Sequence, residues 1–296
     1  MKQPIFTGAN VAICTPFNSD NSINYEEFKK LIDNSIKNNN SITVCGTTGE
    51  TCTLSDEEHR EVMKFTAEYV AKRVPVIAGT GSNDTAYSIS LSKYAYEVGI
   101  DCILSVTPYY NKTSQRGLLA HFEAIADSVD IPVILYNVPS RTGIGIDIDT
   151  YVKLSKHPNI IGTKEASGNF SLMAEIRAKC GEDFYMWCGN DDQIVAMMSI
   201  GAIGAISVFS NILPEITAQI TSLCLKSDFK GATEIQSKYL DLINALFCEV
   251  NPIPVKSALG MIGYSDTVRL PLYEISEENR KMLAKCMQDA GIKIQK

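Results

Sequence analysis

The sequence predicts an α/β protein, a (β/α)8 TIM barrel with a C-terminal helical appendage, and three observations lead there. Short apolar runs alternate with longer amphipathic segments at the spacing of a βα unit. The runs are apolar at consecutive positions, as parallel strands buried on both faces must be. Eight of them occur before the pattern changes to helices alone. The rival architecture is an open doubly wound sheet, which wants a G-x-G-x-x-G after its first strand, and none is there. Gly79-Thr80-Gly81, after the third run, reads as a tight βα turn.

The predicted strands are Ala9–Pro16, Ile42–Gly46, Val76–Gly79, Cys102–Thr107, Val133–Asn137, Ile160–Lys164, Phe184–Gly189 and Ile203–Val208. Between them, apolar side chains at three- and four-residue intervals predict helices over Tyr25–Asn38, Asp56–Lys72, Thr85–Val98, Gln115–Val129 and Leu172–Cys180. Beyond Val208 the predicted helices are Glu215–Lys226, Asp228–Phe247, Pro254–Gly263 and Glu277–Ala290. Asp228 is an N-cap residue, Asn251-Pro252 and Leu270-Pro271 punctuate the run, and Ser276 opens the last helix. The first of these four helices is expected to complete a catalytic barrel over residues 1–225. The rest form a helical bundle over 226–296, and with no Gly-, Ser- or Pro-rich linker between them the two units should dock firmly.

Composition narrows the function. The chain has 296 residues, 45% apolar and 21% charged, which is ordinary for a soluble globular protein. A net charge of −7 and a pI near 5.1, without a basic patch, speak against nucleic-acid or anionic-membrane partners. The cysteines at 14, 45, 52, 102, 180, 188, 224, 248 and 286 are odd in number and lie singly, without a C-x-x-C pair. That fits reduced thiols in a cytoplasmic protein, and His59, His121 and His157 lie too far apart to imply a zinc site. The N-terminal stretch has no extended apolar segment, and no run reaches the length of a membrane span.

The functional signal lies at the C-terminal ends of the predicted strands, where such barrels keep their active sites. Lys164 closes the apolar run Ile160-Ile161-Gly162-Thr163, and a lysine there is either a charge reaching for water or a nucleophile for a carbonyl. Glu165 beside it could neutralise that charge or cap the next turn. Gly46-Thr47-Thr48-Gly49 could be only a turn, yet two glycines around two hydroxyls also make a carboxylate cradle. Tyr109 and Tyr110 taken alone are core or interface aromatics. Tyr136 sits at a strand end beside the expected chemistry, and Arg141 offers a planar fork suited to a carboxylate. Together, five strand ends bring carbonyl-, acid/base- or carboxylate-binding groups, more than a purely structural barrel needs.

The motifs Gly46-Thr47-Thr48-Gly49-Glu50, Thr107-Pro108-Tyr109-Tyr110-Asn111, Tyr136-Asn137-Val138-Pro139-Ser140-Arg141-Thr142-Gly143 and Gly162-Thr163-Lys164-Glu165-Ala166-Ser167-Gly168 occur in order along essentially the whole chain. With them the sequence resembles the dihydrodipicolinate synthase family of class I pyruvate-dependent aldolases. The resemblance implies that Lys164 forms a covalent imine with pyruvate, with no cofactor and no metal. The derived enamine would add to L-aspartate 4-semialdehyde and give 4-hydroxy-tetrahydrodipicolinate, the first committed step of diaminopimelate and lysine biosynthesis. Tyr136 would donate and accept the proton, in a relay with Thr47 and with Tyr110 reaching in from a neighbouring subunit. Thr48 would bind the pyruvate carboxylate and Arg141 the semialdehyde, while Gly189 and Ile206 would line the site through their backbones. The implied assembly is a homotetramer built from tight dimers.

The same resemblance implies a lysine-feedback site at Thr51, Cys52, Asp56, His59, Gly81, Asn83, Tyr87 and Tyr109. Sensitive relatives carry a glutamate where this chain has Tyr87, so inhibition by lysine is expected to be weak or absent. Two other functions remain in view. One is a related lyase that releases pyruvate from a sialic or sugar acid, against which Arg141 speaks. The other is a keto-acid sensor without turnover, against which the full set Lys164, Tyr136, Thr47 and Tyr110 speaks.

Overall fold

The computed structural model describes residues 2–295; Met1 and Lys296, the outer ends of the two expected units, lie outside them. Strand β5 (Val133–Asn137) shows how the sequence makes the fold. Side chains on a strand alternate between faces, so Val133 and Leu135 join the layer beneath the helices, while Ile134 and Tyr136 join a second cluster inside the barrel. The other strands are β1 (Gly8–Ala12), β2 (Ser41–Val44), β3 (Val76–Gly79), β4 (Cys102–Val106), β6 (Ile160–Glu165), β7 (Tyr185–Cys188) and β8 (Gly204–Ser207). Each pairs in parallel with the next, and β8 returns to β1 to close the barrel.

All eight predicted strands are present, most of them shorter than expected. The first stops at Ala12 because the chain leaves its ladder there: the Cys14 amide donates to the Asn211 side chain at 3.0 Å. The second stops at Val44 because Cys45 is left-handed, with φ 53°. The interior is less apolar than expected at β1 and β2. Inward Asn10 and Thr43 satisfy each other, Thr43 Oγ1 donating to Asn10 Oδ1 at 2.6 Å and Asn10 Nδ2 donating to Ser41 Oγ at 3.0 Å. Burial of these polar groups is tolerable because they are paired.

The helices are α1 (Tyr25–Lys37), α2 (Asp56–Val70), α3 (Thr85–Glu97), α4 (Gln115–Ala126), α5 (Pro139–Thr142), α6 (Ile148–Leu154), α7 (Phe170–Lys179), α8 (Ile194–Ser199), α9 (Pro214–Leu225), α10 (Phe229–Ala245), α11 (Ile253–Met261) and α12 (Glu277–Asp289). Their starts are set by local chemistry. Asn24, Asp84, Ser114, Asn169, Asp228 and Ser276 each accept a hydrogen bond from a first-turn amide. Ser55 and Glu58 form a reciprocal capping box on α2. Helices α5, α6 and α8 were not expected, since segments of four to seven residues show too little of a helical repeat to read. No helix among the described residues is long and apolar enough to cross a membrane.

Two features close the ends of the barrel. At the N-terminal face of the barrel, Phe6 stacks on Trp187 with ring centroids 5.3 Å apart, and Lys2 Nζ donates to the carbonyls of Ser155 and Ile160 at 2.5 and 2.8 Å. At the other face, the stretch after α11 folds back over the barrel. Arg269 donates to both carboxylate oxygens of Glu58 at 2.6 Å and to the Thr53 carbonyl at 2.9 Å, and Ser265 Oγ donates to the Phe17 carbonyl at 2.6 Å.

Candidate active site

Register decides where Lys164 points. Tyr136 of β5 pairs with Lys164 of β6, which pairs with Trp187 of β7, so the three residues are in register on neighbouring strands and turn to the same face of the sheet. Trp187 and Tyr136 face the interior, and Lys164 shares their parity. Its ammonium nitrogen lies 4.6 Å from the centre of the Tyr136 ring, and the residue is 6% exposed. None of the salt bridges among the described residues involves it.

Glu165 is not its counter-ion. Being one residue further on, it faces the opposite side, where its carboxylate accepts from Asn137 Nδ2 at 3.1 and 3.0 Å and from the Tyr151 hydroxyl at 2.9 Å. It also accepts from the Ser167 amide at 2.9 Å, so of the two roles open to it in the sequence it takes the capping of the next turn. The effect is to brace β5 against β6 directly behind the Tyr136–Lys164 pair.

Lys164 opens into a cavity of about 150 Å³ whose wall includes Thr43, Gly46, Thr47, Thr48, Tyr136, Ser140, Arg141, Ala166, Gly189, Asn190, Phe247 and Asn251. The threonine loop is a 3₁₀ turn over Thr47–Gly49, entered through extended Gly46 and left through Glu50 in the left-handed region at φ 53°. Thr15 Oγ1 holds it by donating to the Gly49 carbonyl at 2.8 Å. Gly189 gives Lys164 its room: a Cβ there would sit 2.8 Å from Ala166 Cβ and 3.1 Å from Lys164 Cε. Arg141, on α5, is exposed at the mouth.

The predicted residues thus divide. Lys164, Tyr136, Thr47, Thr48, Arg141 and Gly189 share one cavity. Ile206 is fully buried in the barrel interior, and its side chain does not line that cavity. Tyr110 stands apart, 92% exposed with φ 67°, and does not reach the site within its own chain. A second cavity of about 400 Å³ is lined by Thr51, Cys52, His59, Gly81, Tyr87 and Tyr109, and it touches the first through Thr47 and Arg141. Asn83 does not line it; its carbonyl accepts from Asn111 Nδ2 at 2.9 Å. Asp56 is drawn instead to Arg60 Nε at 2.8 Å and to the Tyr87 hydroxyl at 2.9 Å, contacts that hold its carboxyl below the usual range.

Sequence reasoning missed Asn251 and Phe247, and met Asn190 and Asp191 only as the polar end of the seventh strand, with no role given to either. Asn251-Pro252 read only as a helix boundary, and nothing local says that it meets a loop some two hundred residues earlier. Asp191 is buried and accepts from the amides of Val208 and Phe209 at 3.0 and 2.8 Å. Burial lifts its carboxyl above the usual range, with the Lys164 charge among the influences opposing that shift. No cluster of three His, Cys, Asp or Glu side chains among the described residues is placed to hold a metal.

A buried amine sharing a cavity with a phenol and two hydroxyls, at the strand ends of a closed (β/α)8 barrel, is equipment for carbonyl chemistry. Comparison with known proteins is in accord, and the named relatives make the protein a lyase-type enzyme. The chain belongs to the Dihydrodipicolinate synthetase family, whose sequence profile matches residues 5–290. It is 49% identical over 294 residues to the 4-hydroxy-tetrahydrodipicolinate synthase of Acetivibrio thermocellus, covering 99% of this chain and 100% of that one. It superposes on the crystal structure of dihydrodipicolinate synthase from Aquifex aeolicus with a TM-score of 0.96 at 42% identity, over 98% of this chain and 100% of that one. The dihydrodipicolinate synthase of Acinetobacter baumannii complexed with pyruvate superposes with a TM-score of 0.94 at 42% identity, over 97% and 99% of the two chains.

Proposed function

We propose that this enzyme condenses pyruvate with L-aspartate 4-semialdehyde to give 4-hydroxy-tetrahydrodipicolinate in the cytoplasm, entering diaminopimelate and lysine biosynthesis. Lys164 attacks the pyruvate ketone, water leaves, and the resulting imine loses a methyl proton to become an enamine. The enamine carbon adds to the aldehyde, and the amine of the adduct then displaces Lys164 as the ring closes. The observation that carries this reading is the inward Lys164, without a salt-bridge partner among the described residues, against the Tyr136 ring in the cavity. Tyr136, with Thr47, shuttles the protons, a contribution of roughly 10²- to 10⁴-fold. Thr48 holds the pyruvate carboxylate, Arg141 at the mouth takes the semialdehyde carboxylate, and the backbones of Gly189 and Ile206 complete the wall.

The near-complete exposure of Tyr110 supports its use by a neighbouring subunit in a tight dimer, the unit from which the proposed tetramer is built. For lysine, the second cavity offers a neutral phenol at Tyr87, whose hydroxyl is already engaged with Asp56, itself paired to Arg60. Inhibition by lysine is therefore weak, and half-inhibition well below a millimolar would refute that. The central test is borohydride reduction in the presence of pyruvate, read by mass spectrometry. A three-carbon adduct on Lys164 is expected, and its absence would favour a sensor. Assay of semialdehyde condensation beside sugar-acid cleavage separates the synthase from a related lyase.

A further inference from the structure

Asn251 lies on the C-terminal segment, far from the barrel strands in sequence, yet it is 5% exposed and forms part of the wall of the Lys164 cavity. Its Nδ2 donates to Thr48 Oγ1 at 3.0 Å, and this is the only hydrogen bond its side chain makes among the described residues. Its amide oxygen is buried and accepts from no group among the described residues. A buried carboxamide that leaves its whole acceptor capacity unused is not repaying its own desolvation through the fold.

The consequence falls on Thr48. A hydroxyl has one proton and two lone pairs. Once a lone pair of Oγ1 is committed to Asn251, the hydroxyl proton is free for another acceptor, and Thr48 is itself 3% exposed on the same cavity wall. We infer that Asn251 is a positioning residue for the first substrate: by donating to Thr48 it fixes that hydroxyl as a hydrogen-bond donor to the 2-keto-acid carboxylate. The inference rests on the reading of the cavity as a pyruvate-imine site. It also gives the C-terminal helices a part in the chemistry. The same segment reaches the end of the threonine loop again, where Glu50 is paired with Lys256 and accepts from the Arg269 amide at 3.0 Å.

The test uses the full-length protein and follows borohydride trapping and initial rates against pyruvate concentration. Asn251→Ala is expected to raise the half-saturating pyruvate concentration about tenfold, the effect of losing one hydrogen bond of ordinary net strength. The Michaelis constant for the aldehyde should stay within about twofold. In a Thr48→Val background the same substitution should add nothing further, since the interaction it removes is already gone.

Asn251→Asp keeps the shape and so keeps the test alive if the alanine variant fails to fold. Its carboxylate would accept the Thr48 proton and set a negative charge beside the substrate's. Its pyruvate half-saturation should rise well beyond that of Asn251→Ala, and relative to the natural protein it should recover as the pH is lowered and the new carboxyl is protonated. Pyruvate dependence within twofold of the natural protein in both variants would overturn the inference, as would full additivity with Thr48→Val. Failure of the natural protein to trap pyruvate would overturn it by a different route, by removing the site reading on which it stands.

Discussion

Replacing Lys256 by methionine tests how strongly the C-terminal helices hold the threonine loop. Lys256 is fully buried on α11, its ammonium 4.0 Å from the centre of the Phe17 ring and bonded to Glu50, whose side chain is also fully buried. Burial pulls the lysine below its usual pKa and Glu50 opposes that, so each charge depends on the other. Methionine preserves most of the volume over Phe17 and so creates little cavity. What it removes is the partner of a buried carboxylate, which keeps only the Arg269 amide at 3.0 Å, and the donor to the Thr267 carbonyl at 2.8 Å.

Breaking a buried pair in this way costs about 3–5 kcal/mol. The Arg269 guanidinium, 4.1 Å from the same ring, puts a positive charge nearby and argues for the lower end. A loss of about 3 kcal/mol corresponds to a fall in melting temperature of roughly 5 °C in a chain of this size. Urea unfolding of the natural protein, Lys256→Met and the double variant Glu50→Gln/Lys256→Met would measure it. The neutral amide should restore more than half of the loss. A single variant within 1 kcal/mol of the natural protein, or a double variant no better than the single, would refute the reasoning.

Three further outcomes are expected. Gly189→Ala places a methyl group 2.8 Å from Ala166 Cβ and 3.1 Å from Lys164 Cε; the strand end must shift, so the melting temperature should fall, and pushing the amine out of line should lower kcat about a hundredfold in the folded variant, while unchanged kcat would refute the role of Gly189 in making room for Lys164. Lys2→Met removes two donors to backbone carbonyls at the N-terminal face, so stability should fall by about 1–2 kcal/mol while kcat stays the same. Burial lowers the pKa values of His59 and His121 from 6.5, so below pH 6.5 the unfolded chain binds protons first. Their contribution is complete above that pH and is lost as the pH falls through the folded-state values; His59→Gln should flatten the stability profile between pH 7 and 5, and an unchanged slope would refute the assignment.

Much of this molecule was legible as sequence because its determinants are local. The eight apolar runs, the capping residues and the Gly-Thr-Thr-Gly loop each act through neighbours a few positions away, which is why Val76–Gly79 and Val133–Asn137 are found with the bounds expected. Short helices such as α8 escaped because a turn and a half carries too little periodicity. The inward direction of Lys164 was not legible in this way: alternation counted from inward Ile161 would turn it towards the helices, and a register shift at the start of β6, where Ile134 pairs with Gly162 instead of Ile161, is what brings it inside.

The tertiary structure decided which charges serve the site. Lys164 and Lys256 are both buried lysines with a glutamate available in sequence or space. Only the folded chain shows Glu165 turned away to Asn137 and Tyr151, leaving Lys164 without a salt bridge among the described residues, while Glu50 is held by Lys256 and the Arg269 amide. Pairing and desolvation depend on distances across the fold, and residues separated by two hundred positions share a hydrogen bond only after the barrel closes. The sequence by itself therefore determined the barrel and the chemical groups at its strand ends. Closure of the barrel and the return of the C-terminal segment over it determined which of those groups face a common cavity and which hold it in shape.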